Sequence, residues 1–127
     1  MENIFIESTP VTPKVNFDAD NGLIEISGRS IPENPIKFYT PLIEWLKKYI
    51  DAPKELTTVS MKIEYFNTSS SKLIFQILKL FEKTHSDEHK VNIKWYYKDE
   101  DMLETGEDYQ MLIKVPFEII EDPNLTF

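Results

Sequence analysis

The sequence contains no cysteine, only three glycines and a single arginine, Arg29. Without cysteine the chain can form no disulfide, no thiolate-bound zinc site and no cysteine nucleophile. Three glycines are too few for a phosphate-binding glycine loop. No stretch approaches the roughly 20 apolar residues that span a membrane, and the first residues lack the basic and apolar segments of a signal peptide. We therefore expect a cytoplasmic protein.

Acidic residues outnumber basic residues by 22 to 14, which gives a net charge of −8. Nucleic-acid-binding proteins usually present a basic face that neutralises phosphates, and binding to anionic lipids needs one as well. The composition therefore argues against nucleic acid and against membranes as partners. A small cation or a locally basic protein surface remains compatible with it.

The length of 127 residues and the hydrophobic share of 41% suit one domain with its own core. We expect residues 1–127 to form this domain, with residues 1–12 as a segment along its surface. Along the chain, the spacing of hydrophobic residues changes repeatedly between two residues, typical of strands, and 3.6 residues, typical of helices. This pattern predicts alternating strands and helices. The predicted elements are, in order, a hairpin over 15–27, a helix from Asn34-Pro35 to about 50, a strand over 56–66, a helix ending near Thr84, a strand over 91–97, an acidic helix over 99–111 and an edge strand over 112–120.

Two residues are expected to disturb these helices. Pro41 should bend the first helix or mark a restart after Thr40, because proline lacks the N–H group that the helix interior uses. Gly106 should interrupt the acidic helix. Strand–helix–strand units of this length favour right-handed parallel crossovers. The prediction is an α/β domain with a mixed sheet of about five strands and helices mainly on one face.

The junction between the central strand and the second helix, Asn67-Thr68-Ser69-Ser70, is the candidate functional site. Its hydroxyl and amide side chains can satisfy the free N–H groups of the helix start, and this structural role alone explains them. The same N–H groups and the positive end of the helix dipole also suit a phosphate group. A phosphorylated Thr68 would have Lys72 within reach, one turn along the helix. We expect Thr68 to cap the second helix and to be exposed.

Phe75 lies on the polar side of the second helix, on the same side as Thr68. One explanation is that Phe75 packs beneath the neighbouring acidic helix. The other is that Thr68, Lys72 and Phe75 belong to one docking surface for a protein partner.

No pattern in the sequence supports catalysis or a metal. His85 and His89 have the spacing of two ligands on a helix, but residues 86–88 predict a turn and no third ligand is evident. The acidic residues between Asp99 and Asp108 predict a solvated helix face. No nucleophile–base pair can be assembled. We expect a protein that is not an enzyme and that holds no metal or cofactor.

From about Pro13 to Glu121 the chain resembles the SiaC family of bacterial regulatory phosphoproteins. Three segments carry the resemblance. They are Gly28-Arg29-Ser30-Ile31-Pro32-Glu33-Asn34, Tyr65-Phe66-Asn67-Thr68-Ser69-Ser70-Ser71 and the aromatic strand Lys94-Trp95-Tyr96-Tyr97. These proteins resemble the STAS domain, the fold of anti-sigma-factor antagonists, so the resemblance implies a single STAS-like domain.

The resemblance also implies a phosphorylation switch at the start of the second helix. In such families a kinase modifies a hydroxyl there, a PP2C-type phosphatase restores it, and the unmodified form binds a target. For SiaC-like proteins the target resembles a diguanylate cyclase, which the unphosphorylated form activates, placing the protein in c-di-GMP signalling. Carried over to this sequence, the switch falls on Thr68, with Asn67, Ser69, Ser70, Lys72 and Phe75 as partner-binding residues.

Ser69 is the second candidate for modification. STAS antagonists have Asp-Ser-Ser-Gly where this sequence has Asn67-Thr68-Ser69-Ser70, and their phosphoserine aligns with Ser69. A second function also stays open, namely a STAS-like ligand-binding or structural domain in which Asn67 to Ser70 only cap the helix.

Overall fold

A computed structural model describes residues 1–127, and its centre is one mixed sheet whose six strands stand in the order of the chain. The first three strands are antiparallel neighbours, and the third to the sixth run parallel to one another. The strands are β1 (Ile4–Ile6), β2 (Lys14–Asp18), β3 (Leu23–Ser30), β4 (Leu56–Phe66), β5 (Lys90–Tyr97) and β6 (Phe117–Glu121).

The connections between the parallel strands are three α-helices and one 3₁₀ turn. Helix α1 (Pro35–Tyr49) joins β3 to β4, α2 (Thr68–Leu80) with the 3₁₀ turn Phe81–Lys83 joins β4 to β5, and α3 (Glu100–Leu112) joins β5 to β6. Each crossover advances by one strand in the same direction, so right-handed connections place all three helices on one face. The predicted α/β class with a mixed sheet is confirmed. None of these helices is both long and apolar enough to cross a lipid bilayer.

Aromatic contacts show how the helices cover one face of the sheet. Trp45 of α1 packs on Phe17 of β2 with ring centroids 5.2 Å apart, and Tyr109 of α3 packs on Trp95 of β5 at 5.4 Å. The Phe17 and Trp95 side chains are both fully buried on this face. Helix α2 lies between the other two helices, since it contacts α1 on one side and its Phe75 packs on Tyr109 of α3 on the other.

The central strand β4 shows the predicted alternation as far as Ile63. Tyr65, predicted on the covered face, is 50% exposed, because the register with β3 shifts between Gly28 and Arg29. Val59, Met61 and Ile63 face the helices and are at most 1% exposed. Lys62 points to the opposite face, where its ammonium lies 3.8 Å from the carboxylate of Glu25. One covered face and one open face follow directly from a period of two.

Charged and aromatic side chains form a continuous row across the open face. The carboxylate of Glu25 lies between Lys62, at 3.8 Å, and Lys14, at 4.0 Å. At the two ends of the row, Lys62 lies 5.2 Å from the ring centre of Tyr96 and Lys14 lies 6.0 Å from that of Phe5. This open-face row spans β1 to β5 and keeps the uncovered side of the sheet polar.

The prediction of about five strands is wrong by one, since part of the expected surface segment forms β1. Ile4 and Ile6 pair with Phe17 and Val15 and are half-buried. The indole N–H of Trp45 fastens this segment by donating to the carbonyl of Glu2 at 2.6 Å. A strand of three residues is too short for a hydrophobic period to reveal it.

Neither Pro41 nor Gly106 interrupts its helix. Helix α1 runs through Pro41, and the hydroxyl of Thr40 donates to the carbonyl of Ile36 at 2.6 Å in the same turn. Gly106 lies against Trp95, and a Cβ on it would come within 2.5 Å of the indole ring. The glycine therefore serves helix–sheet packing. Helix α2 ends at Leu80, short of the predicted Thr84, and the chain continues as the 3₁₀ turn.

Candidate functional site

The junction between β4 and α2 lies at the carboxyl end of the central parallel strand. Strand β4 ends at Phe66, and Asn67 adopts an extended conformation before the first helical residue, Thr68. The side-chain oxygen of Asn67 accepts the N–H of Ser70 at 2.9 Å, so Asn67 is the N-cap. The prediction that Thr68 caps the helix is therefore wrong by one residue. The amide side chain takes the cap and leaves the Thr68 hydroxyl uncommitted.

The hydroxyl side chains of Thr68 and Ser69 are both exposed. They occupy the first two positions of α2, whose N–H groups precede the first intrahelical hydrogen bond. A phosphate on either residue would meet free backbone donors and the positive end of the helix dipole. Lys72, also exposed, follows Thr68 by one turn and adds a positive charge on the same helix face.

Phe75 packs beneath the acidic helix, as the first of the two explanations for its position predicts, and part of its ring stays exposed. Its ring packs on Tyr109 of α3, with the centroids 5.2 Å apart and an interplanar angle of 61°. Phe75 is nevertheless only half-buried and lines the groove between α2 and α3. The ring is held in place by the protein, and part of it remains exposed to solvent.

Two grooves run along the sides of α2, and Lys72 borders both. The groove toward α3 has a volume of about 260 Å³ and walls of mainly apolar surface. The groove toward α1 has a volume of about 300 Å³ and brings Ser69 beside the start of α1. The α3 groove is lined by Ser71, Lys72, Phe75, Asp108, Tyr109 and Leu112, and the α1 groove by Asn34, Pro35, Ile36, Ser69, Lys72 and Leu73.

Three exposed apolar side chains flank these grooves and were not among the residues predicted from the sequence. Ile36 of α1 is 68% exposed, and Met111 and Leu112 at the end of α3 are 79% and 58% exposed. Ile36 and Leu112 line the two grooves directly. The sequence carried a signal for Met111 and Leu112, because two apolar residues at the end of an otherwise acidic helix indicate an exposed apolar patch.

The hydroxyl of Tyr109 fastens α3 to the start of α2. It donates to the carbonyl of Ser71 at 2.7 Å. Burial raises the pKa of Tyr109 to about 12, so the phenol stays protonated and remains a donor at neutral pH. The wall formed by Tyr109 and Phe75 is therefore fixed to the helix that carries Thr68.

The side chains of His85, His89 and Asp99 lie within hydrogen-bond distance of backbone groups of the fold. The Nδ1 atom of His85 accepts the backbone N–H of Val91 at 3.0 Å, and His89 lies on the surface near the carbonyl of Lys54. Asp99 caps α3 by accepting the N–H of Met102 at 2.9 Å. No three metal-ligating side chains lie close enough together to hold an ion.

The fold and the site together define a class, namely α/β proteins with one helix-covered face and exposed hydroxyls at a helix start. A model of the family described as SiaC family regulatory phosphoprotein matches residues 6–122. The chain belongs to this family.

Relatives from Pseudomonas aeruginosa match almost the whole chain. An uncharacterized protein of strain UCBPP-PA14 is 28% identical over 121 residues, which cover 94% of this chain and 96% of that protein. The solved structure of SiaC is 28% identical and covers 96% of this chain and 100% of its own, with a TM-score of 0.87. A crystal structure of the diguanylate cyclase SiaD in complex with its activator SiaC matches with 27% identity, covering 94% of this chain and 99% of that one, with a TM-score of 0.86.

Proposed function

We propose that this protein is a non-enzymatic, cytoplasmic signalling protein that binds and activates a diguanylate cyclase in its unphosphorylated form. The observation that carries the proposal is the exposed Thr68, placed on one helix face with Lys72 and the half-exposed ring of Phe75. Support comes from the relative in P. aeruginosa, described as the activator of the cyclase SiaD. A kinase adds phosphate to Thr68, and a PP2C-type phosphatase removes it.

The docking surface consists of Thr68, Lys72 and Phe75 together with the apolar residues Ile36 and Leu112. Ser70, predicted from the sequence as a partner-binding residue, is fully buried and lies beneath this surface. The large side chains of this surface leave apolar area exposed on both sides of α2. Burying such area gains about 25 cal/mol per Å², and the central residues of an interface contribute most of that energy. A hydroxyl at the edge of an apolar surface is a suitable place for a switch, because a phosphate there changes the charge of the interface and leaves the core untouched.

The likeness to the STAS domain is part of this proposal. It rests on a hydroxyl-rich helix that begins directly after the central parallel strand. Ser69 is the alternative modification site, and its side chain faces the groove between α1 and α2.

Treatment with a kinase encoded near this gene is expected to place one phosphate on Thr68. The exposed hydroxyl, the free N–H groups beside it and Lys72 one turn along the helix favour this position. Fragmentation mass spectrometry of the modified chain locates the phosphate. Label found only on Ser69 would move the switch there. No label between residues 67 and 71 would leave the alternative, a STAS-like ligand-binding or structural domain.

Phe75→Ala is expected to weaken cyclase binding by at least about tenfold, since a partly exposed aromatic at an interface centre is the usual hot spot. The probes are the diguanylate cyclases of this protein's own organism, starting with any encoded beside its gene. Gln76→Ala is the matched control, because Gln76 is the exposed neighbour on α2. Isothermal titration calorimetry measures both variants. Equal affinities for Phe75→Ala and the parent protein would remove Phe75 from the docking surface.

A further inference from the structure

Three buried hydroxyl groups form a hydrogen-bonded network beneath the first turn of α2. Ser30 ends β3, Tyr39 lies in α1 and Ser70 is the third residue of α2, and all three residues are fully buried. The Ser30 and Tyr39 oxygens are 2.5 Å apart, and the Ser30 hydroxyl donates to the Ser70 oxygen at 2.9 Å. Because Ser30 has only one hydroxyl proton, Tyr39 must be the donor to Ser30, and the chain runs from Tyr39 through Ser30 to Ser70.

Ser30 also holds the cap residue of the helix. Its carbonyl accepts the N–H of Asn67 at 3.2 Å. In an ordinary capping box, the side chain of the third helical residue accepts that N–H group. Here the Ser30 carbonyl takes over this role, so the Ser70 hydroxyl is free to bind the Ser30 hydroxyl. One strand residue therefore anchors both the cap and the first turn of α2.

We propose that Ser30, Tyr39 and Ser70 are positioning residues that hold the first turn of α2, and with it Thr68, in the geometry that the target binds. The inference rests on the proposed function of the docking surface. Buried hydroxyls that leave a network lose hydrogen bonds which water cannot replace, so the network specifies a single arrangement. A surface that is already ordered before binding loses less entropy when the complex forms.

The chain contains a matched control for this network. Tyr49 lies in the same helix as Tyr39, is also buried, and its hydroxyl lies 2.7 Å from the hydroxyl oxygen of Thr57. That pair belongs to the opposite end of the sheet, since Thr57 is the second residue of β4 and the site follows the last. Tyr39→Phe and Tyr49→Phe therefore remove the same hydroxyl group from the same helix at a similar depth. Only Tyr39→Phe removes a member of the network that holds the start of α2.

The first readout is hydrogen exchange of the full-length protein, measured by NMR. The reporters are the amides of Ser70 and Ser71, which are hydrogen-bonded to the side chain and the carbonyl of Asn67. After correction for each variant's unfolding free energy, Tyr39→Phe is expected to speed their exchange about tenfold, and Tyr49→Phe is expected to leave it unchanged. A purely structural role would lower global stability in both variants without this local difference. Equal corrected rates would overturn the proposal.

The second readout is affinity for the cyclase used for Phe75→Ala. Tyr39→Phe is expected to weaken binding about tenfold, which corresponds to about 1.4 kcal/mol, and Tyr49→Phe to change it less than twofold. If the parent protein binds and the two variants bind equally well, the network has no part in recognition and this inference fails alone. If the parent protein binds no cyclase of its organism, the proposed function fails, whatever the exchange rates show.

Discussion

Phosphorylation of Thr68 is expected to weaken cyclase binding by about 100-fold or more with little change in the stability of the free protein. The modification adds about −1.5 to −2 charges at neutral pH. In the free protein, the N–H groups of the first turn and Lys72 accommodate this charge. In the complex it would be pressed against a surface shaped for a neutral hydroxyl. Burying an unpaired charge costs several kcal/mol, and each 1.4 kcal/mol is a factor of ten in affinity.

Three variants separate the charge from the side chain. Thr68→Asp carries part of the phosphate charge and should bind poorly, whereas Thr68→Ala should bind like the parent protein and ignore the kinase. Ser69→Asp places the same charge one residue further along α2 and tests the second candidate site. Calorimetric titration measures all three. Tight binding of Thr68→Asp would place the switch elsewhere, and a larger loss with Ser69→Asp would assign it to Ser69.

Gly106→Ala is expected to destabilise the protein, although alanine is the better helix former by about 1 kcal/mol. The added Cβ would lie 2.5 Å from the Trp95 ring. Trp95 cannot easily retreat, because it is fully buried and its indole N–H donates to the carbonyl of Met102 at 2.9 Å. Overpacking of a rigid core typically costs about 1–3 kcal/mol, and this clash with an aromatic ring lies at the upper end. The unfavourable contact therefore exceeds the gain in helix propensity.

Urea unfolding of Gly106→Ala measures the change in unfolding free energy. Glu107→Ala is the matched control, since Glu107 is the exposed neighbour on α3 and should shift stability by no more than about 0.5 kcal/mol. Gly106→Ala should also weaken cyclase binding, because Trp95 supports Tyr109, which in turn supports Phe75. A more stable Gly106→Ala protein would show that the helix can shift away from Trp95.

Elements whose evidence is local could be predicted from the sequence, and features that depend on distant partners could not. The alternation in β4 as far as Ile63 and the Asn34-Pro35 start of α1 follow from neighbouring residues, and both are as predicted. Gly106 is a poor helix former in isolation, and only the position of Trp95 explains why a glycine is needed there. Pro41 was expected to bend α1 or mark a restart after Thr40, but the helix continues through it, and its neighbours Tyr39 and Leu42 are both buried in the core.

At the candidate site, too, some residues could be predicted from the sequence and others could not. Asn67, Thr68 and Ser69 could be located because a polar run between a strand and a helix marks a helix start. The Ser30 anchor could not, because its partners lie 9 and 40 residues away in the chain. Strand β1 was missed for a related reason. Its three residues form a strand only through their hydrogen bonds to β2, and a segment this short shows no pattern of its own.

The sheet order, in which every strand lies beside its neighbour in the chain, has a consequence for synthesis on the ribosome. Each new strand can join an edge that already exists, so the sheet can grow from β1 toward β6 as the chain emerges, without waiting for distant segments. The groove beside Phe75 is the exception, because its outer wall comes from α3, which follows β5 in the chain. A chain that has emerged only as far as β5 therefore exposes Thr68 before the α3 wall of the proposed docking surface has formed, and on this proposal it is expected to bind the target only after α3 has been made.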